Sequence, residues 1–226
     1  MRVRIGLVGF GGIAGLHQKY LAAGGVPNAD LTAVADPDPS RLEAAKALFG
    51  DKVKRFSDAP ALLDSGAVDG IIICTPHYDH PTVAIQAFQR GLHVLSEKPA
   101  GVYTRQVREM NEAAARSGRV FGIMFNQRTL PLYQKIRDLV RSGELGRIHR
   151  VQWTITNWYR TQRYYDSGGW RATWKGEGGG VLLNQCPHNL DLWQWMVGMP
   201  TRIRGFCKAG RFHRIEVEDE ATIVAE

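Results

Sequence analysis

In the first half of the chain, short apolar runs alternate with longer segments in which apolar residues recur at helical spacing. The runs predict strands, and the segments between them predict helices. Strict alternation of the two predicts an α/β unit, a doubly wound parallel sheet covered by helices on both faces. The predicted strands span residues 3–8, 31–35, 68–75, 93–96 and 120–125, and the predicted helices span 13–23, 40–49, 58–65, 81–90 and 104–117.

Local signals support several of these helix boundaries. An Asp or Ser followed by Pro is typical of a helix start, and Gly directly after the last apolar position is typical of a helix end. The start signals are Asp38 before Pro39, and Ser57 or Asp58 before Pro60; the end signals are Gly91 and Gly118.

The pattern changes near Asn126, which predicts two domains, residues 1–125 and 126–226. The second part predicts helices at 131–142 and 181–196, β-type runs at 148–158, 201–211 and from 215 to the end, and an aromatic, basic loop at 159–175. Runs of strands after an α/β half predict an α+β domain. Because the last run still alternates where the chain stops, we expect this domain to be truncated.

Composition places the 226 residues among ordinary globular proteins, with 44% hydrophobic and 23% charged residues. The apolar runs are too short for a membrane span, and the N-terminus lacks the apolar length of a signal peptide. We therefore expect a cytoplasmic protein without a membrane partner. The three cysteines have no metal-type spacing and predict reduced thiols.

The formal net charge is +7, but the basic residues are scattered along the chain. Nucleic-acid binding needs a basic stripe or patch, so we expect no nucleic-acid partner. A small anionic substrate is a better use for a local excess of arginine.

A Gly-x-Gly-x-x-Ala pattern directly follows the first predicted strand, at Gly9, Gly11 and Ala14, with Gly12 and Ile13 between them. In dinucleotide-binding turns the first glycine permits the turn, the second lets the backbone approach the pyrophosphate, and the third small residue allows close helix packing. Alone, such a turn also fits mere tight packing.

Asp36 ends the second predicted strand, where a carboxylate is placed to accept hydrogen bonds from the adenosine ribose and to repel the 2′-phosphate of NADP. Together with the glycines it predicts NAD as the preferred cofactor. Two alternatives stay open: Asp36 is also a suitable turn residue before proline, and Arg41 could receive a 2′-phosphate, which keeps NADP possible.

Two further motifs follow predicted strands, Thr75-Pro76-His77 with His80, and Glu97-Lys98-Pro99. With the glycine turn, they resemble the paired hallmark of the Gfo/Idh/MocA oxidoreductases, a Thr-Pro turn with a downstream His and a Glu-Lys-Pro. His77 stands where relatives often have Asn. His77 and His80 also have a His-x-x-His spacing, but no further ligands complete a set, so we expect no metal.

The second half is similar to the same family. Gly178-Gly179-Gly180, Asn184 and His188 resemble its glycine-triplet helix, in which an Asp and a His four residues apart face the nicotinamide. The i, i+4 spacing predicts that Asn184 and His188 share one helical face. Asn184 departs from the family, because an amide cannot exchange protons at neutral pH as the usual Asp can.

The resemblance implies an NAD(P)-dependent dehydrogenase with Lys98, His188 and Asn184 as catalytic residues. His188 suits proton transfer, and Lys98 suits stabilising charge on the reacting oxygen. We expect Glu97 to orient its neighbours and the Lys98–Pro99 bond to be cis. The expected cofactor-binding residues are Gly9, Gly11, Gly12, Ile13, Ala14, Asp36, Arg41, Thr75, Pro76, His77, His80, Glu97, Lys98 and Asn126.

The loop at 158–175 interleaves aromatic and basic residues, among them Trp158, Trp170 and Arg171. Flat rings stack on sugars and arginine grips carboxylate or phosphate, so Trp170 and Arg171 join Asn184 and His188 as candidate substrate residues. An aromatic loop that merely covers a domain junction is an equal alternative.

The resemblance and these residues predict an oxidoreductase that moves a hydride between NAD(P) and a secondary hydroxyl of a sugar, cyclitol or related polyol, and the arginines of the loop favour an anionic one. Two rivals remain: a glycosidase that uses NAD for transient oxidation, and a non-catalytic NAD-binding sensor. We expect the full-length protein to form a homo-oligomer.

Overall fold

The computed structural model describes residues 2–22, 24–156 and 159–226. The chain divides into two compact units, the first ending at Met124 and the second beginning at Phe125. Each unit has its own secondary structure and is described separately.

The first unit is built on a six-stranded parallel sheet. Its strands are β1 (Val3–Val8), β2 (Ala29–Ala35), β3 (Lys54–Phe56), β4 (Gly70–Ile73), β5 (His93–Ser96) and β6 (Phe121–Ile123). The order across the sheet is β3-β2-β1-β4-β5-β6, so the chain builds outward in opposite directions from the neighbouring strands β1 and β4. This order confirms the predicted doubly wound α/β fold.

Helices connect successive strands of this sheet. They are α1 (Ala14–Ala22), α2 (Pro39–Phe49), α3 (Ala59–Asp64), α4 (Asp79–Gln89) and α5 (Thr104–Ser117). The predicted boundaries agree to within two residues, and residue 23, where the first helix was predicted to end, lies outside the described residues.

The predicted helix boundaries have visible causes. Asp38 Oδ1 accepts a hydrogen bond from Ser40 N at 2.9 Å, and Asp58 Oδ1 accepts one from Ala61 N at 2.8 Å, which caps α2 and α3. Gly118 ends α5 with a φ of 63°, a left-handed conformation that favours glycine.

Alternate residues of each central strand pack on opposite faces of the sheet. Ile71 and Ile73 of β4 belong to the core formed with α3, α4 and α5, whereas Ile72 belongs to the core formed with α1 and α2. Burial on both faces explains why the strand reads as a continuous apolar run.

The strand β3 was not predicted. It has three residues, Lys54–Phe56, and lies at the edge of the sheet beside β2. Three residues are too few to show a period of two, so only the pairing with β2 defines this strand.

The second unit contains α6 (Pro131–Ser142), α7 (Gln162–Asp166), α8 (Val181–Asn184), α9 (Pro187–Val197), and the antiparallel strands β7 (Ile203–Ala209) and β8 (Glu218–Ala225). Helices together with an antiparallel ladder confirm the predicted α+β character of this part of the chain.

The predicted strand at 148–158 is wrong for its described part. Residues 148–156 form no strand, and residues 157 and 158 lie outside the described residues. An alternating pattern gives a strand only where a neighbouring strand accepts its hydrogen bonds, and the ladder described in this unit joins β7 to β8.

The predicted continuous helix at 181–196 is also wrong, because it is divided into α8 and α9. Pro187 has no N–H to donate, and its ring would clash with the carbonyl four residues earlier, so the helix restarts there with proline in its first turn. Asn184 and His188 therefore lie in different helices, so their spacing of four residues no longer places them on one helical face.

The longest helix in the described part of the chain, α5, has 14 residues. None of the described helices combines the length and apolar character that crossing a membrane requires. The cytoplasmic location stays a prediction.

Because Met110 of α5 is fully buried, we expect Met110→Ala to lower the free energy of unfolding by about 2–5 kcal/mol. Met199 is exposed, and Met199→Ala is the control that should change it by less than about 0.5 kcal/mol. Denaturant unfolding of both variants checks this; equal effects would contradict the described core.

Candidate functional site

The turn after β1 requires glycine at one position for reasons within the protein itself. Gly9 has a φ of 89°, and a Cβ placed on it would lie 2.8 Å from the backbone carbon and oxygen of Cys74. Its N–H donates to Ala35 O at 2.8 Å. Gly9 thus lets the chain leave β1 while staying in contact with both neighbouring strands.

Gly11 and Gly12 differ from Gly9, because space lies beside them. A Cβ on Gly11 would meet Arg41 Nη1 at 3.6 Å, the end of a flexible side chain, and a Cβ on Gly12 would meet nothing within 4 Å. Helix α1 begins just after them at the buried Ala14, and Ile13 is partly exposed. An open backbone turn at a helix N-terminus fits the pyrophosphate of a dinucleotide.

Asp36 is 2% exposed and holds this turn. Its Oδ2 accepts from Phe10 N at 2.7 Å and lies 3.2 Å from Arg41 Nη1, and its Oδ1 accepts from Asp38 N at 2.9 Å. The carboxylate therefore fixes the glycine-rich turn directly, a contact that the sequence did not predict, and Arg41 partly balances its charge.

Thr75 follows β4 at the same edge of the sheet. Its hydroxyl Oγ1 is buried and has no hydrogen-bond partner among the described residues. A buried hydroxyl without a partner is costly, so a group that binds there would gain a hydrogen bond. With the open turn at Gly11, this makes the described residues fit a bound dinucleotide.

His80, buried in α4, joins two loops. Its Nδ1 lies 2.7 Å from Pro99 O, and its Nε2 lies 2.9 Å from Thr75 O. Pro76 directly follows Thr75. The ring of the buried His77 is 5.9 Å from that of His80. Because both ring nitrogens of His80 face carbonyl oxygens, His80 is poorly placed to ligate a metal.

Glu97 and Lys98 follow β5. Glu97 Oε2 accepts from Lys98 N at 3.2 Å, and Glu97 Oε1 lies 2.7 Å from Nε2 of His17, a residue that the sequence analysis did not single out. The Lys98–Pro99 bond is cis, as the family resemblance implied. These contacts fix the main chain at Lys98.

Burial changes the acidity of two groups next to these loops. It raises the pKa of Asp79, in the first turn of α4, and the charge of His80 partly opposes that rise. Burial also raises the pKa of the Cys74 thiol, and the nearby Glu97 carboxylate adds to the effect. Cys74 is therefore an unreactive thiol at neutral pH.

In the second unit, Asn184 contacts a buried carboxylate. Its Nδ2 donates to Glu177 Oε1 and lies 3.4 Å from the Tyr164 hydroxyl. Glu177 is 1% exposed, and its Oε2 accepts from Ala172 N at 2.5 Å. The amide nitrogen of Asn184 is thus directed at Glu177 and Tyr164, which fixes the orientation of this side chain.

His188 lies at the start of α9, with its ring 6.1 Å from the ring of Phe125. One turn further along, Asp191 forms a two-point ion pair with Arg128, at 2.5 and 2.7 Å. Asn126, a predicted cofactor residue, lies in the short 3₁₀ helix that also contains Arg128, where its carbonyl accepts from the Thr129 hydroxyl at 2.7 Å.

Arg171 and Trp170 are brought together, as the aromatic and basic loop suggested. The Arg171 guanidinium lies 4.8 Å from the centre of the Trp170 ring and 4.5 Å from that of Tyr164, and its Nη1 donates to the Tyr164 hydroxyl at 2.7 Å. Tyr164 thereby connects Arg171 to Asn184. Trp158 of the same loop lies outside the described residues.

Arg171 also lines a pocket of about 600 Å³ in the second unit. Its lining includes a second arginine, Arg214, together with Thr173 and Glu216. The pocket therefore offers a ligand two guanidinium groups, the two carboxylates Asp166 and Glu216, and the Thr173 hydroxyl.

Family comparisons agree with both units. Residues 3–125 match the oxidoreductase family with an NAD-binding Rossmann fold, and residues 133–226 match the GFO/IDH/MocA C-terminal domain. The chain belongs to the Gfo/Idh/MocA oxidoreductase family. The resemblance inferred from the motifs is confirmed.

Two curated relatives illustrate the family. The chain is 31% identical over 205 residues to the rhizopine catabolism protein MocA of Rhizobium meliloti, and 30% identical over 204 residues to D-glucoside 3-dehydrogenase of Escherichia coli K12. The matches cover 90% and 88% of this chain but 60% and 55% of the relatives. The chain thus spans little more than half the length of these relatives.

A solved structure is similar over the whole chain. It is the WlbA dehydrogenase of Bordetella pertussis in complex with NADH and UDP-GlcNAcA, with a TM-score of 0.89 and 32% identity. The similarity covers 100% of this chain and 67% of that protein.

Three notable side chains escaped the sequence analysis: His17, Glu177 and Arg128. A weak signal existed for two of them, since His17 follows Ala14 by three residues and Glu177 directly precedes the glycine triplet. Arg128 offered none, because its partner Asp191 is 63 residues away.

The two kinds of glycine predict different results on substitution. Gly9→Ala should lower the free energy of unfolding by about 2 kcal/mol or more, because of its positive φ and the backbone of Cys74. Gly11→Ala should change it by less than about 1 kcal/mol, yet raise the dissociation constant for NADH at least about tenfold by filling the approach to the pyrophosphate. Chemical unfolding and calorimetric titration measure the two effects. Unchanged NADH binding in Gly11→Ala would contradict the placement of the pyrophosphate beside Gly11.

Proposed function

We propose that the chain carries out the oxidation of a secondary hydroxyl of a sugar, cyclitol or related polyol with NAD(P). The observation that supports this most directly is Lys98, a cationic side chain that follows β5 on the sheet edge that also carries the glycine-rich turn. The fold alone would not indicate a reaction, whereas a lysine at the ligand-binding edge of an NAD-binding fold offers a group for the reacting oxygen.

The glycine-rich turn and the N-terminus of α1 bind the pyrophosphate, and Asp36 lies on the side of the adenosine ribose. Bound NAD(P) supplies the acceptor for the hydride. The proposed cofactor residues near it are Thr75, whose buried hydroxyl lacks a partner among the described residues, and Lys98. NAD is preferred because the Asp36 carboxylate disfavours a 2′-phosphate.

Lys98 donates a hydrogen bond to the reacting oxygen and stabilises the negative charge that develops as the hydride leaves. Its placement follows from Glu97, which accepts from the Lys98 main-chain N–H, and from the neighbouring Pro99 carbonyl, which contacts His80. The ammonium group therefore extends from a backbone held at two neighbouring points.

His188 accepts the proton of the substrate hydroxyl, a role that suits an imidazole near neutral pH. Asn184 cannot carry a proton, and we assign it to orientation. Glu177 and Tyr164 hold its amide nitrogen, which fixes the orientation in which the side chain would meet a substrate. Many relatives have an Asp at the position of Asn184. In this chain the negative charge lies instead on the buried Glu177, which contacts Asn184.

We propose that the substrate carries an anionic group. Arg171 and Arg214 line the pocket of the second unit together with the carboxylates Asp166 and Glu216, and guanidinium groups bind carboxylate or phosphate well. The similar WlbA dehydrogenase was crystallised with UDP-GlcNAcA, a ligand of that kind. A uronic acid or a nucleotide-linked sugar acid is therefore the first substrate class to test.

The experiment is a screen of uronic acids, nucleotide-linked sugar acids, neutral sugars and inositols with NAD, monitored by NADH absorbance. We expect Lys98→Met to lower kcat at least about 100-fold with the best substrate while the NADH dissociation constant stays within about twofold. The control Lys52→Met removes a lysine that precedes β3 and does not follow any of the strands that lead to the candidate site. It should change neither value.

Two outcomes would contradict the proposal. Turnover that survives in Lys98→Met removes this residue from the reaction. Cleavage of a glycoside with no net NADH would favour the rival glycosidase, which returns the hydride to its product.

Cofactor choice provides a second prediction. Asp36→Asn removes the charge and keeps an oxygen that accepts from Phe10 N, so this contact with the glycine-rich turn should persist, whereas the hydrogen bond from Asp38 N is lost. We expect it to shift the NADP-to-NAD affinity ratio toward NADP by about 1–3 kcal/mol, because repulsion of the 2′-phosphate is lost. Arg41→Ala removes the neighbouring cation and should shift the ratio the other way. Equal ratios in all three proteins, measured by titration calorimetry, would rule out Asp36 as the determinant.

A further inference from the structure

His17 and Glu97 form a contact between two distant parts of the first unit. Nε2 of His17, in the second turn of α1, lies 2.7 Å from Oε1 of Glu97, 80 positions later in the chain. The two side chains are 12% and 8% exposed. A carboxylate only accepts, so Nε2 carries the proton of this hydrogen bond in either charge state of the imidazole.

The Glu97 carboxylate uses both oxygens. Oε1 contacts His17, and Oε2 accepts from Lys98 N at 3.2 Å. The main-chain N–H of Glu97 donates to Ile73 O at 3.0 Å, which attaches Glu97 to β4. A change in the carboxylate position therefore passes directly to the main chain at Lys98.

The surroundings strengthen this contact. His17 borders a groove of mostly apolar side chains, including Leu95, Phe121 and Met124. A charge-assisted hydrogen bond gains strength where water is scarce, and leaving Glu97 without it would cost correspondingly more.

The contact connects the two halves of the dinucleotide fold. Helix α1 begins at the turn that receives the pyrophosphate, in the half formed by β1, β2 and β3. Lys98 follows β5 in the other half, where a dinucleotide places its second mononucleotide. His17 and Glu97 thus tie the phosphate-binding helix to the loop on the nicotinamide side.

We propose that His17 is a positioning residue that acts through Glu97 to hold the Lys98 loop in place for the nicotinamide half of the cofactor. The inference rests on the proposed function, because it takes NAD as the ligand. It assigns to His17 a selective effect on one half of the cofactor, which a purely structural contact would not have.

The test compares NADH with ADP-ribose, which has the same adenosine and pyrophosphate but no nicotinamide. We expect His17→Leu to raise the NADH dissociation constant about tenfold and to leave that for ADP-ribose within about twofold, as measured by calorimetry. His17→Gln keeps an N–H donor of similar reach and should restore NADH binding to within about twofold of the original.

His93→Leu is the matched control. His93 borders the same apolar groove but lies at the opposite end of β5, where its Nδ1 accepts from Val120 N at 2.9 Å. This variant can lower stability but should not change the ratio of the two dissociation constants. If His17→Leu fails to fold, Glu97→Gln provides the same test, because it weakens the contact with little change in volume and should raise the same ratio.

Parallel loss of NADH and ADP-ribose binding in His17→Leu, or equal ratios in His17→Leu and His93→Leu, would overturn the inference. Both results presuppose an unmodified chain that binds both ligands. Failure of the unmodified chain to bind either one would instead refute the proposed function, and the inference with it.

Discussion

Parallel pairing of all six strands is the constraint on which the first unit depends. Parallel strands end at the same edge of a sheet, so the segments that follow β1, β2, β4 and β5 must meet there. Gly11, Asp36, Thr75 and Lys98 are far apart in sequence but follow these four strands in turn. Reversing the direction of one strand would move the residue that follows it to the opposite edge of the sheet. The site therefore depends on the parallel topology of the sheet.

Buried carboxylates then convert irregular loops at this edge into fixed structure. Asp36 accepts from the main chain of the glycine-rich turn, and Glu97 accepts from the main chain at Lys98. Glu177 does the same for Ala172 in the second unit. A buried charge is tolerated only when it is hydrogen-bonded, so each carboxylate strongly favours the single loop conformation that supplies its donors.

In the second unit, cationic and aromatic side chains surround the candidate residues. Arg171 packs against Tyr164 and Trp170, and Arg128 binds Asp191 beside Phe125. Guanidinium groups stacked on rings keep their hydrogen-bonding edges available. The aromatic, basic loop of the sequence thus forms an organised surface, and the pocket lined by Arg171 and Arg214 lies in the same unit.

The sequence by itself determined five of the six strands and the five helices of the first unit, the glycine turn and the family, because periodicity, caps and turn glycines act over a few residues. It failed where partners are distant. The strand at 148–156 and the single helix at 181–196 were wrong, since a strand needs a neighbour and Pro187 ended a helix that apolar spacing favoured. Only the tertiary structure decided that His17 binds Glu97 and that Glu177 holds Asn184, because these contacts depend on how the chain folds back on itself.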